Sequence, residues 1–238
     1  MLVRSVRLAI LAATLLAPAA ARADELADFN AAVEQAATHN RAAIGYLRTG
    51  NVDLAGLEID RLRQAWQSVT SRGKPGVFDR PLYVKAMTDI AMRLVTADML
   101  LNMGKPDNAR ASLVGVRDDL YELRKSAGVP VLADCVRDAG AAMDALMAYD
   151  TRDVDFAKAA ETADLAAKAD ANGKTLARCD GMAGAGTRET PEFRRLIDGA
   201  KASLALIPKA IETRDKSLVH RVLIELRSFD NLLAFRFG

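Results

Sequence analysis

The stretch LRTGNVDLAGLEIDRL, residues 47–62, shows how the whole chain is organised. It leads from one segment with helical apolar spacing, through the turn signal Thr49–Asp53, into a second such segment. A glycine in such a turn suits a left-handed helix C-terminus, and an aspartate suits the N-cap of the next helix. The stretch therefore predicts a tight helical hairpin.

Three further turn signals repeat this arrangement: Met103–Asp107, Asp150–Asp153 and Thr213–Asp215. Apolar residues recur at helical spacing between the turns, and the alternation that is typical of strands is nearly absent. We therefore expect an all-α fold of about eight antiparallel helices in four helical hairpins. The predicted helices span residues 24–49, 52–71, 79–103, 107–126, 130–149, 153–171, 190–213 and 216–236.

The four hairpins are expected to form two four-helix-bundle-like units, an N-terminal one over residues 24–127 and a C-terminal one over residues 128–238. The boundary falls at Gly128-Val129-Pro130, because glycine and proline interrupt helices. Each unit has roughly 100 residues, which is the size of a small helical bundle. The turns are unevenly spaced, which argues against a solenoid with a strict period of about 34 residues. The longest predicted linker is Asn172–Pro191.

Residues 1–23 have the pattern of a cleavable signal peptide. A positively charged start precedes the apolar run Leu8–Ala17, and a small-x-small motif predicts cleavage between Ala23 and Asp24. The apolar run has about 10 residues, whereas a membrane-spanning helix needs about 20. We therefore favour cleavage over an uncleaved membrane anchor and expect a periplasmic protein whose mature chain has no transmembrane segment.

The charge balance gives no reason to expect a nucleic-acid partner. The chain has 33 basic and 31 acidic residues, and cleavage after residue 23 would remove three of the bases and none of the acids. The mature chain would then be nearly neutral, so it has no overall attraction for nucleic acid or anionic membranes. Most arginines fall on helix faces among acids, as expected of solvated ion pairs.

Cys135 and Cys179 are the only cysteines of the chain. An even number of cysteines in an exported protein predicts a disulfide, with two buried free thiols as the alternative. Their spacing excludes both the CxxC redox motif and the CxxCH haem-attachment motif. A bridge that closes a loop of roughly 45 residues would stabilise the fold by about 3–4 kcal/mol.

Haem is the first cofactor to consider, because helical bundles often hold it. The only two histidines are His39 and His220, and a simple up-and-down arrangement would place His220 at the height of Met147 on a neighbouring helix. On helical wheels, however, both histidines lie away from the apolar stripes of their helices. We therefore predict no haem.

Copper is the second cofactor to consider, since Met92, Met99 and Met103 share one side of a predicted helix. Thioethers are soft ligands that suit copper(I), but no histidine or Met-x-Met motif accompanies them. The opposite side of the same helix is also apolar, and a helix that is apolar on two sides is normally interior. We therefore interpret these methionines as core residues that fill gaps.

Catalytic motifs are absent from the sequence. There is no GxSxG elbow or phosphate-binding loop, and the glycine pattern of residues 182–186 is read as a flexible loop, with a part in a contact surface as the alternative. Paired acids such as Asp118-Asp119 are typical of solvated helix faces. The sequence therefore predicts a protein without enzymatic activity.

The C-terminus stays apolar to its last residues, which is unusual for a chain end. Val219, Val222, Leu226, Phe229 and Leu233 form a stripe at helical spacing that predicts a core helix. The tip that follows, Phe235-Arg236-Phe237, either folds back onto the core or forms a partner patch.

These features favour a periplasmic binding or scaffolding protein that has no cofactor and whose partner is another periplasmic protein. One alternative is a carrier of a small ligand, copper or haem in a bundle core. The other alternative is an enzyme without a recognisable motif.

Overall fold

The structure is a computed structural model that describes the backbone of residues 3–150 and 154–238 and the side chains of residues 24–150 and 154–238. The predicted signal segment 1–23, with Ala23 at its cleavage site, lies outside the residues whose side chains are described, so its cleavage stays a prediction. The described residues contain helices and no strand, which confirms the all-α prediction. The helices are α1 (Val3–Arg48), α2 (Val52–Ser71), α3 (Arg80–Asn102), α4 (Pro106–Ser126), α5 (Leu132–Met147), α6 (Ala159–Met182), α7 (Ala185–Arg188), α8 (Pro191–Leu204), α9 (Ile207–Thr213) and α10 (Lys216–Phe237).

The chain divides into two compact units, Met1–Val129 and Pro130–Gly238. In unit 1, α1 pairs with α2 and α3 pairs with α4, while α4 also packs on α1 and α3 on α2. Each helix therefore turns one side toward a shared core. The largest fully buried side chains of this core are Phe29, Ile59, Leu62, Ile90 and Leu113.

Unit 2 is built around α5, α6, α8 and α10. Helix α5 packs on α6 and α10, and α8 packs on α10 and α6. Four residues of the predicted α10 stripe, Val219, Val222, Leu226 and Leu233, are buried, and Phe229 packs against the same core. The prediction of a core helix at the C-terminus is therefore confirmed.

The turns differ in detail from the sequence prediction. Gly50 and Gly104 have φ values of 76° and 69°, as expected of left-handed helix ends. Asn51, rather than Asp53, caps α2 by accepting a hydrogen bond from the Leu54 N–H. Asp53 and Asp107 lie inside the first turn of their helices, where a carboxylate still interacts favourably with the helix dipole.

Helix α6 is longer than predicted, because it continues through the expected linker to Met182. Asn172 and Gly173 indicated a loop, yet Asn172 is buried, and a Cβ at Gly173 would lie 3.7 Å from Leu204. Tertiary packing thus offsets the poor helix propensity of this pair. Glycine alone is about 1 kcal/mol less favourable than alanine inside a helix. Only the short α7 and its flanking residues separate α6 from α8.

The predicted helix 190–213 is broken into α8 and α9. Pro208 follows the break, and proline both lacks an N–H and disfavours helical geometry in the residue before it. The turn at 150–153 lies only partly within the described residues, which resume at Val154.

Candidate interaction surface

Helix α3 has an inward side that meets the expectation for a bundle helix. Its buried residues recur at spacings of three and four, so they form one stripe against the core. They are Tyr83, Ala86, Ile90, Leu94 and Ala97.

The opposite side of α3 is apolar and exposed to solvent. Met92, Val95, Met99 and Met103 have exposed fractions of 63%, 57%, 52% and 56%. At about 100° per residue, these four side chains centre roughly 170° from the buried stripe. We call Met92, Val95, Met99 and Met103 the methionine stripe.

This arrangement shows that the interpretation of Met92, Met99 and Met103 as core residues was wrong. An apolar second side normally means an interior helix, but the helices that α3 packs on, chiefly α2 and α4, leave its second side exposed. In the part of this unit that the structure describes, no helix covers the outward side. The apolar pattern of α3 therefore marks a surface as well as a core.

The methionine stripe is narrow and about 16 Å long, from the helical rise of 1.5 Å per residue. Thr88 and Ala91, which continue the outward side toward the helix start, are exposed and uncharged. Methionine side chains are flexible and polarisable, so they adapt to differently shaped apolar partners. Contiguous exposed apolar residues of this kind mark interaction sites.

On the α2 flank of the stripe, two acids share one base. Arg63 lies 3.3 Å from Asp98 of α3 and 3.8 Å from Asp60 of its own helix. Asn102 also donates to Asp98 over 3.4 Å. These contacts position α2 against α3 and leave an excess of negative charge beside Met99.

On the α4 flank, Arg93 reaches across to Asp119. Its Nε and Nη2 atoms lie 2.6 and 3.3 Å from the two carboxylate oxygens. The hydrogen bond to Asp119 raises the pKa of Arg93 although partial burial opposes it. The guanidinium passes over Gly115, where a Cβ would lie only 2.1 Å from Nη1, so a side chain at this position would displace the guanidinium.

A groove of about 300 Å³ runs between α3 and α4 beside this ion pair. Three of its lining side chains are acids, Asp89, Asp119 and Glu122, and Lys85 is its one lining base, paired with Asp89. The remaining lining residues are Leu82, Ala86, Leu123 and Ser126. We call these eight residues the acidic groove. It combines an apolar floor with a negatively charged rim.

Unit 2 has a second cavity, of about 360 Å³, at the start of α10. His220 lies at its edge with Nδ1 2.8 Å from Asp150, and its side chain is 56% exposed. Met147, which was considered with His220 as a haem-ligand pair, packs against the core of unit 2. The structure therefore gives His220 a carboxylate partner rather than a place in the bundle core.

The other histidine, His39, has Nδ1 2.7 Å from a carboxylate oxygen of Glu58 across the α1–α2 hairpin. Burial alone would raise the pKa of Glu58, but hydrogen bonds from His39 and Arg61 outweigh it and lower the pKa. Among the described side chains, no group of three or more His, Cys, Asp or Glu is placed to hold a metal ion.

Cys135 and Cys179 form the predicted disulfide, with their Cα atoms 5.4 Å apart. The bridge joins the first turn of α5 to the last turn of α6, rather than to a loop. The next residue, Asp180, accepts hydrogen bonds from Arg194 and Lys201, at 2.5 and 2.9 Å. The contact with Lys201, helped by Arg194 and opposed by burial, lowers the pKa of Asp180. Disulfide and carboxylate together hold α5, α6 and α8 in one unit.

The predicted C-terminal patch is divided between two roles. The Phe237 ring packs edge-to-face on Phe193, with centroids 5.1 Å apart, and Arg236 Nε lies 2.8 Å from Glu192. Phe235 is partly exposed, at 38%. The tip therefore docks on α8 through Phe237 and leaves Phe235 facing solvent.

Within the described part of the chain, no helix is both long and apolar enough to cross a membrane. Comparison with protein-family models, with curated proteins and with solved structures finds no match. The sequence signal for the interaction surface was the second apolar side of α3, which was assigned to the core.

Proposed function

We propose that the protein is an exported, periplasmic binding protein without catalytic activity, and that it holds another protein on the methionine stripe. The observation that carries this proposal is the exposure of all four stripe side chains on a helix whose other side is fully packed. Burying these side chains in a complex would remove their apolar surface from contact with water. This removal is the main driving force of most protein association. The adaptability of methionine suits a scaffold that accepts related partners.

Export is supported by two independent features. The N-terminal segment has the composition of a signal peptide. The Cys135–Cys179 disulfide fits an oxidising compartment, where such bonds form and persist. N-terminal sequencing of protein from a periplasmic extract should begin at Asp24, and recovery of the uncleaved chain in the membrane fraction would contradict the proposal.

The binding proposal is tested by photo-crosslinking in the exporting host. A photoreactive residue at Met99 should give a discrete adduct with one partner, because this position lies at the middle of the stripe. The matched control is the same residue at Ile224, an apolar side chain on α10 that is similarly exposed, at 50%. Adduct formation at position 99 should disappear in the Met92→Glu background, since a charge there disrupts an apolar contact. Equal adducts at both positions, or none at position 99, would contradict the proposal.

A further inference from the structure

The charges on both sides of the methionine stripe indicate which kind of partner it binds. We propose that the partner segment is a cationic amphipathic helix, with its apolar side on the stripe and its basic residues against the acids beside it. This inference rests on the proposed function and adds the chemistry of the partner.

The shape of the stripe favours a helix over an extended peptide. An extended peptide binds by adding to a sheet edge, and the described residues of unit 1 include no strand. A single exposed helix instead presents ridges and grooves of side chains that fit a second helix. A length of about 16 Å corresponds to roughly three helical turns, so the partner needs apolar residues at i, i+4, i+7 and i+11 or a similar spacing.

The acids beside the stripe outnumber the bases. Five acids lie on its two flanks. They are Asp60 and Asp98 toward α2, and Asp89, Asp119 and Glu122 toward α4.

Three bases pair with acids of this set, namely Arg63, Lys85 and Arg93. Even with Lys105, which follows the end of the stripe, these acids outnumber the bases by one. This excess is local, because the chain without residues 1–23 is nearly neutral, with 33 − 3 = 30 basic and 31 acidic residues. A partner with basic residues on its flanks would be attracted to the surface and oriented on it.

A second copy of this chain fits the surface less well. A symmetric pair would place the same flank of each α3 side by side, and both flanks have an excess of acids. Like charges brought together in an interface oppose association. An anionic membrane is disfavoured for the same reason.

The inference is tested with synthetic helical peptides and the whole mature protein with its disulfide intact. Two of the three peptides have an apolar stripe of leucines, and the third has the same kind of residues without a stripe. One has lysines on both flanks, one has glutamates there, and one has the lysine composition in a scrambled order that forms no apolar stripe. Binding is measured by fluorescence anisotropy in low and in moderate salt.

The lysine helix should bind at least about tenfold more tightly than the glutamate helix or the scrambled peptide, and salt should weaken this binding because exposed charges are screened. Glu122→Gln removes one charge from the groove rim and should weaken lysine-helix binding by about two- to fivefold, as expected of one exposed ion pair. Met99→Gln should weaken it more, whereas the control Ile224→Gln in unit 2 should leave it unchanged.

The outcomes separate this inference from the proposed function. Equal, salt-insensitive binding of the lysine and glutamate helices would overturn the cationic partner and leave the stripe as a binding surface. Failure of all three peptides, together with a discrete crosslink at Met99, would overturn only the present inference. Failure of the peptides without any crosslink would overturn both. Concentration-dependent dimerisation that Met99→Gln abolishes would assign the stripe to a second copy and overturn the inference.

Discussion

Replacing Gly199 in α8 by alanine tests a close contact between α8 and α10 in unit 2. A Cβ at this position would lie 2.6 Å from Cζ and 2.9 Å from Cε1 of Phe229 on α10. Carbon atoms normally approach to about 3.5–4.0 Å, so the ring must move by roughly 1 Å or the two helices must separate.

Two opposing contributions set the size of the effect. Glycine in a helix interior is less favourable than alanine by about 0.5–1 kcal/mol, which the substitution recovers. Overpacking a core contact costs about 1–3 kcal/mol. Phe229 is only partly buried, so the ring can yield toward solvent and the lower half of this range applies. We expect Gly199→Ala to destabilise unit 2 by about 1 kcal/mol, which lowers its Tm by roughly 4 °C.

Gly173→Ala in α6 is the matched control. Its Cβ would meet Leu204 at 3.7 Å, an ordinary contact, so we expect a gain of about 0.5–1 kcal/mol from helix propensity alone. Urea unfolding is followed by circular dichroism for the whole protein and by fluorescence of Trp66, the only tryptophan, for unit 1. Neither variant should shift the fluorescence transition. An equal stabilisation by both substitutions would show that α8 and α10 do not approach closely at Gly199.

Three further predictions concern the remaining structural features. Reduction of Cys135–Cys179 should lower the stability of unit 2 by about 3–4 kcal/mol, measured by urea unfolding with and without reductant, and leave the tryptophan transition in place. Asp180→Asn should destabilise unit 2 at pH 7 by about 1 kcal/mol, given the partial exposure of its partners. Because the folded pKa of Asp180 is lowered, its contribution is present above the unfolded value of about 3.9 and lost as the pH falls through the folded pKa, so thermal melts of wild type and variant should converge in acid. Dilute hydrogen peroxide should convert the exposed stripe methionines to sulfoxides well before the buried Met143, as peptide mass spectrometry will show; equal rates would contradict the exposure of the stripe.

The spacing of apolar residues correctly predicted helices that have a single apolar side and bury it in the core. The last helix has one apolar stripe, and the structure buries it as expected, with Asp215 as the N-cap at 2.9 Å from the Leu218 N–H. Helix α3 has two apolar sides, and periodicity does not tell which one faces the core. That choice depends on the packing of α2 and α4, which is a property of the tertiary structure. The same limit explains α6, where packing against α8 overrides the local preference of Asn172 and Gly173.

The candidate site was predictable only in its parts. Asp118 and Asp119 were recognised as surface acids, but their relation to the methionines depends on how α3 and α4 align. The Arg93–Asp119 contact fixes this alignment, and it joins residues 26 positions apart in the sequence. The disulfide was easier to predict, because two cysteines allow only one intramolecular pairing.

The two apolar sides of α3 also affect how unit 1 reaches its native state. If α3 were rotated by half a turn, it would place three methionines and a valine in the core instead of Tyr83, Ile90 and Leu94. The same sequence is therefore compatible with a competing compact arrangement of unit 1. Natural sequences fold reliably when such competitors are well separated in energy. Arg93 reaches Asp119, and its carbonyl accepts from Ser112, only in the native rotation. These polar contacts thus favour one rotation of α3 over the other. Because the outward side of α3 is also apolar, unit 1 depends on them to form a single folded arrangement.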